Sequence, residues 1–143
     1  MADVTDISVQ ILVVEDNPGD VKLFLNEFKE INFLAEFHVV TNGVEALQFL
    51  YKEDKYVNMP RPDLLVLDLY LPKKDGIEVL SEMSKDKHLI DIPVVIFSSS
   101  EQTDILENCQ RLQHIFINKP KKLEDYKTIL KTVENFCLNS KKK

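Results

Sequence analysis

The stretch Leu64-Leu65-Val66-Leu67-Asp68 decides how the rest of the chain is read. Four consecutive apolar residues stop abruptly at a carboxylate. Pro62-Asp63 precedes them, and Leu71-Pro72-Lys73-Lys74-Asp75-Gly76 follows. An apolar run this short, bounded by turn residues, predicts a strand buried on both faces. Asp68 then lies at the strand's carboxyl end, the edge at which open α/β sheets bind ligands. Three other runs repeat the pattern. Ile11-Leu12-Val13-Val14 stops at Glu15-Asp16, Val94-Val95-Ile96-Phe97 at Ser98-Ser99-Ser100, and Ile115-Phe116-Ile117 at Asn118-Lys119-Pro120. Strands that all stop on polar, reactive groups predict one site along one edge of one sheet.

Between these runs the apolar residues change period. The first strand covers Val9 to Val14. Asn17 then caps a helix with Pro18 in its first turn, and Val21, Phe24, Leu25, Phe28 and Ile31 recur at helical spacing. Phe37 to Thr41 reads as the second strand, and Val44, Ala46, Leu47 and Leu50 as the stripe of the next helix. Asp54 to Pro62, polar and with two prolines, is expected as a surface loop. Ile77, Leu80 and Met83 mark a third helix, and Ile92-Pro93 opens the fourth strand. A helix from Glu101 to Leu112 turns Ile105, Leu106, Cys109 and Leu112 inward. The fifth strand runs from His114 to Asn118. The last helix carries the stripe Leu123, Tyr126, Leu130, Val133 and Cys137, flanked by Ile129 and Phe136. Five strands alternating with five helices predict a doubly wound α/β fold, a parallel sheet covered on both faces. Right-handed crossovers and the position of the acids favour the flavodoxin-like order 2-1-3-4-5. Strands one and three are then neighbours, and Glu15, Asp16 and Asp68 meet at the switch point between them.

Composition narrows the function classes. The 143 residues fit one domain, and such a chain buries roughly 70% of its unfolded surface. A net charge of −6 argues against nucleic-acid binding by the domain as a whole. Lys141-Lys142-Lys143 is too short a basic run to reverse that. Cys109 and Cys137, isolated from each other, form neither a zinc motif nor a disulfide framework, which suits a reducing compartment. His38, His88 and His114 are dispersed and form no ligand cluster. The acidic start has no apolar run of signal-peptide type, and no segment approaches a membrane span. The expected location is the cytoplasm, with no membrane contact.

Crowded acids define the chemistry. Two carboxylates about 4 Å apart repel by roughly 4 kcal/mol at an effective dielectric near 20. Three either resist ionisation or bind a cation. Oxygen donors of this kind suit Mg²⁺, which retains waters and bridges to phosphate. Three carboxylates, one Mg²⁺ and one lysine sum to zero charge, and Lys119 at the end of the fifth strand is the candidate lysine. If Asp68 attacked phosphorus it would gain a dianionic group, which Mg²⁺ and Lys119 would hold, with Ser98 donating to a phosphoryl oxygen.

Taken together, the acidic pair Glu15-Asp16, the strand-end Asp68, the hydroxyl Ser98 and the pair Lys119-Pro120 resemble a response-regulator receiver domain of two-component signalling. Each motif alone is weak; four in order, each ending a strand, are specific, and the resemblance covers nearly the whole chain. It implies that Asp68 is the phosphoacceptor. It implies that Asp16 and Asp68 bind Mg²⁺ by side chains, Tyr70 by its backbone carbonyl and Glu15 through metal-bound water. Ser98 would be the switch hydroxyl, Lys119 the phosphate-facing cation with a cis bond to Pro120, and Phe116 the aromatic whose rotamer reports activation. With phenylalanine there, any switch works through packing. Ser98 stands where threonine is commoner, and the Gly-Ala turn many receivers place before strand five is replaced by Leu112-Gln113-His114. The segments Asp16-Asn17-Pro18-Gly19-Asp20, Asp54 to Pro62, Leu71 to Gly76 and Ser98-Ser99-Ser100 are similar to stand-alone regulators that partner phytochrome-type sensor kinases.

The resemblance implies a single receiver domain over 1–143 without an output domain. A partner histidine kinase would phosphorylate it, and it would signal through a downstream protein target, with a homodimer through the last strand and its flanking helices. It implies a phosphoacceptor rather than an enzyme, with at most slow Mg²⁺-dependent self-phosphorylation and self-dephosphorylation. The alternative is an aspartate-nucleophile phosphohydrolase on the same type of fold. Haloacid-dehalogenase-type phosphatases place a second Asp two residues after the nucleophile, and here that position is Tyr70. A flavin module needs a phosphate-cradling loop after strand one, where this chain has acids.

Overall fold

The computed structural model describes residues 9–31, 35–68, 76–98, 112–118 and 123–141. Five strands form one parallel sheet: β1 (Val9–Val14), β2 (Ala35–Val40), β3 (Leu64–Leu67), β4 (Val94–Ser98) and β5 (His114–Asn118). Their order is β2-β1-β3-β4-β5, the doubly wound order expected from the sequence. Four α-helices occur among the described residues: α1 (Pro18–Ile31), α2 (Gly43–Leu50), α3 (Gly76–Lys85) and α4 (Leu123–Lys141). The expected helix from Glu101 to Leu112, with Ile105, Leu106 and Cys109, lies outside the described residues except for Leu112, which is buried. The segments Leu71 to Asp75 and Ser99-Ser100 and the final Lys142-Lys143 also lie outside them, as do the side chains of Ile31, Leu123, Tyr126 and Ile129.

The strands split one apolar sequence between two cores. Leu12, Val14, Leu65, Leu67, Val94 and Ile96 pack beneath α2 and α3, against Ala46, Leu47, Leu50, Val79, Leu80 and Met83. Their alternates Ile11, Val13, Leu64, Val66, Val95 and Phe97 pack beneath α1 and α4, against Phe24, Phe28, Leu130, Val133 and Cys137. Covering both faces explains why β1, β3 and β4 read as unbroken apolar runs rather than as alternation. Aromatic rings anchor the α1 side. Phe28 stacks on Phe24 at 5.7 Å and meets Phe37 edge-on at 5.4 Å.

The edges depart from the sequence expectation. β2 begins at Ala35, two residues before the expected Phe37, and ends at Val40. Glu36 carries no strand signal, yet on this edge strand its carboxylate accepts from Gln10 Nε2 at 2.7 Å. Ile92 and Pro93 precede β4 rather than opening it. Val44, expected in the α2 stripe, is exposed. The inward set is Gly43, Ala46, Leu47 and Leu50 with Phe49, so the i, i+3, i+4, i+7 series starts one residue earlier. The segment from Asp54 is not simply a surface loop. It holds a 3-10 turn at Asp54–Tyr56, and Tyr56 is buried, its ring 5.4 Å from that of Phe49.

The end of α2 has unusual chemistry for its shape. Lys52 N–H donates to Phe49 O and Glu53 N–H to Gln48 O, at 3.1 and 2.8 Å. This is the bond pair of a Schellman cap, in which the C′ residue is left-handed. Lys52 takes that place with φ 57°, and Asp54 follows with φ 51°. Glycine usually fills it, because a Cβ there is strained.

Candidate functional site

Register builds the site. Val14 and Leu67 are partners across β1 and β3, so Glu15 and Asp68 come next, side by side, at the carboxyl edge. The ladder runs one residue past both strands: Asp68 N–H donates to Val14 O and Glu15 N–H to Val40 O, each at 3.0 Å. Backbone parity then sets direction. Leu65 and Leu67 face α2 and α3, so Asp68 turns with Val66 toward α1. Glu15, Asp68, Val13, Val66, Phe24 and Phe97 line a narrow recess there, about 10 Å³, the size of one water molecule.

The start of α1 closes the recess. Asn17 caps the helix as expected, its Oδ1 accepting from Asp20 N–H at 3.0 Å and its carbonyl from Val21 N–H at 3.0 Å. Pro18 occupies the first helical position, where no N–H is needed. A Cβ on Gly19 would lie 3.2 Å from Asn17 Oδ1, so the turn is tight. Asn17 N–H also donates to Glu15 Oε2 at 3.2 Å. The helix amino terminus and this bond favour negative charge, each by about 0.3–1 kcal/mol.

Glu15, Asp16 and Asp68 each bring a carboxylate oxygen within 4.8 Å of the others. Glu15 and Asp68 are buried, at 6% and 8% exposure, whereas Asp16 is exposed. Octahedral coordination at 2.0–2.1 Å sets donor oxygens about 3 to 4 Å apart. The donors are hard oxygens, one of them open to solvent, and so suit a divalent ion that keeps part of its water.

The remaining predicted residues divide. Phe116 is half-buried and packs on the α2–α3 side of the sheet, opposite Ile96 in the register. Ser98 ends β4 opposite Asn118, one residue beyond the register position of Asp68; its side chain lies outside the described residues. Tyr70, Lys119 and Pro120 lie outside them altogether. Sequence reasoning missed Asp20 as a neighbour of the site. It lines the recess with Glu15 and Asp68, and the available signal was its place one helical turn after Asp16. None of the described helices is long and apolar enough to cross a membrane.

Residues 11–131 match the family described as response regulator receiver domain. The chain belongs to that family. The receiver is 33% identical over 141 residues to response regulator Rcp1 of Synechocystis, covering 98% of this chain and 96% of that one. A crystal structure of the phosphorylated cyanobacterial phytochrome response regulator RcpA is similar at a TM-score of 0.83 and 37% identity, covering 92% of this receiver and 95% of that chain. The Mn²⁺-bound form of Rcp1 is similar at 0.80 and 34%, covering 90% and 93%. The receiver thus resembles phytochrome-associated regulators in both sequence and fold, and phosphorelay signalling is its function. Receivers are phosphoacceptors that work with histidine kinases, and the acid cluster is of the kind that holds a divalent ion.

Proposed function

We propose that Asp68 is the phosphoacceptor of this receiver and that Mg²⁺ is its ion, held by Asp16, Asp68, the Tyr70 carbonyl and, through water, Glu15. The observation that carries this reading is the buried Asp68 at a strand end with two further carboxylates within 4.8 Å. A carboxylate oxygen of Asp68 attacks the phosphorus of a partner kinase's phosphohistidine. The P–N bond breaks, the imidazole nitrogen keeps the electron pair and takes a proton, and an acyl phosphate forms. Lys119 faces the added charge and Ser98 donates to a phosphoryl oxygen. When bound, Mg²⁺ supplies positive charge to the crowded acids and the phosphoryl oxygens. Phe116 then repacks, and β5 with its flanking helices changes affinity for a downstream protein or a second copy.

The kinase is phytochrome-type, in keeping with the relatives, and the setting is cytoplasmic. A groove of about 360 Å³ opens directly from Glu15 and Asp16 along α1, lined by Val21, Leu25, Lys22 and Lys29. It offers a mixed apolar and basic track for the helix that brings the phosphohistidine to Asp68. The receiver labels itself at most slowly and works without nucleic-acid contact. The test is intact mass after acetyl phosphate and Mg²⁺, with site mapping. One phosphoryl group on Asp68, lost in Asp68→Asn, is the expected result. Undiminished labelling of Asp68→Asn removes the assignment, and repeated turnover of small phosphate esters restores the phosphohydrolase.

A further inference from the structure

Away from the acid edge, α2 and α3 frame a groove of about 310 Å³ lined by Val44, Leu47, Gln48, Tyr51, Glu53 and Glu82. Large exposed apolar side chains are few: among the described residues they are Val39, Val44, Tyr51 and Val57. Three of these four belong to α2 and the turns just after it, and two line the groove. We infer that this groove docks a basic, amphipathic segment of a partner protein, and that it does so whatever the phosphorylation state of Asp68.

Charge and shape select the occupant. Both charged residues of the lining, Glu53 and Glu82, are carboxylates, and Glu78 lies one turn before Glu82 on α3. The apolar part of the lining is Val44 and Tyr51, at 40% and 39% exposure, with the buried Leu47. A helix presenting apolar side chains one turn apart, with lysine or arginine beside them, matches both features. The walls are preformed: Ala46, Leu50, Val79 and Met83 hold both helices on the sheet, and the Schellman turn fixes Glu53. Binding therefore orders little of the receiver. A second copy pairing groove to groove is a poor occupant, because it would bring the carboxylates of the two linings together. None of the lining residues is an acid of the phosphoryl site or a member of β5, so occupancy of the groove is separable from the switch.

The test uses the full chain, isotope-labelled, titrated with a short alanine-based helical peptide that carries leucines one turn apart and flanking lysines. The expected result is saturable shifts of the amide signals of Val44, Gln48, Tyr51, Glu53 and Glu82. The double variant Glu53→Lys/Glu82→Lys binds about tenfold or more weakly, and the same peptide with glutamates for lysines does not bind. Val44→Ser, at an exposed position, is the second variant should the first not fold, and it also weakens binding. The receiver labelled on Asp68 with acetyl phosphate and Mg²⁺ binds as the unlabelled receiver does. Equal binding of the acidic peptide overturns the proposal. So do shifts confined to the α1 groove, or groove signals that move with protein concentration alone and so assign it to a second copy. A change in binding on labelling with acetyl phosphate and Mg²⁺ overturns the independence from phosphorylation.

Discussion

Replacing Asp68 with asparagine is expected to stabilise the metal-free protein, against the usual direction of a substitution at a buried position. The buried oxygens of Glu15 and Asp68 approach within 4.8 Å. With both ionised, an effective dielectric near 20 puts their repulsion at about 3.5 kcal/mol. The amino terminus of α1 and the Asn17 N–H offset about 1 kcal/mol of it. Asparagine keeps the shape of the side chain and removes the charge, while sacrificing hydrogen bonding to the carboxylate worth about 1 kcal/mol. The net gain is then about 1–2 kcal/mol, or roughly 3–7 °C in Tm for a chain of this size. Divalent ion offsets that gain. At ten times its Kd, Mg²⁺ adds about 1.4 kcal/mol to the parent and much less to Asp68→Asn, which lacks a ligand. Thermal unfolding of both proteins in EDTA and in a Mg²⁺ series measures this. A variant less stable than the parent in EDTA would refute the crowding argument, as would equal Mg²⁺ stabilisation of the two proteins.

Other substitutions report on the frame. Phe28→Ala, which empties the ring cluster beneath α1, is expected to cost about 3–5 kcal/mol in denaturant unfolding; a loss below about 1 kcal/mol would mean the rings are not packed. Asn42→Ala removes the acceptor of the Glu45 N–H bond at 2.9 Å and is expected to cost about 1 kcal/mol, with Asn42→Asp nearly neutral. Lys52→Gly relieves the left-handed strain at the Schellman turn, for a net gain of about 0.5 kcal/mol after the added freedom of the unfolded chain; Lys52→Val should instead destabilise, and both are read by the denaturant midpoint.

The strands at the centre were legible because burial on both faces leaves only apolar residues, and the stop signals are polar. Val9–Val14 and His114–Asn118 coincide with the expected bounds, and Asn17 caps α1 as its sequence suggested. The acid pair and Asp68 were legible for the same reason, since a carboxylate directly after an unbroken apolar run has nowhere to lie but the edge. The edges of the fold were not. Glu36 lies in a strand because an edge strand tolerates a polar side chain that finds a cross-strand amide. Val44 was placed inward because hydrophobicity alone cannot tell which of two adjacent residues begins the buried series. Lys52 at φ 57° left no trace, because tertiary packing of Phe49 and Tyr56 imposes a turn that propensity would give to glycine. Asp20 was missed because its closeness to Asp68 exists only once α1 folds back over β1.

The position of Asp68 follows from the alternation that makes the core. Parity along β3 sends Leu65 and Leu67 under α2 and α3 and carries the next side chains, Val66 and Asp68, toward α1. A one-residue slip of β3 against β1 would exchange those faces. It would drive the carboxylate into the α2–α3 core and a leucine into the recess. The slip is resisted because it would place the Asp68 carboxylate among the apolar side chains beneath α2 and α3, where burying a charge is far more costly than at the sheet edge. Register therefore holds the like charges together at the sheet edge, where a divalent ion can add to their neutralisation.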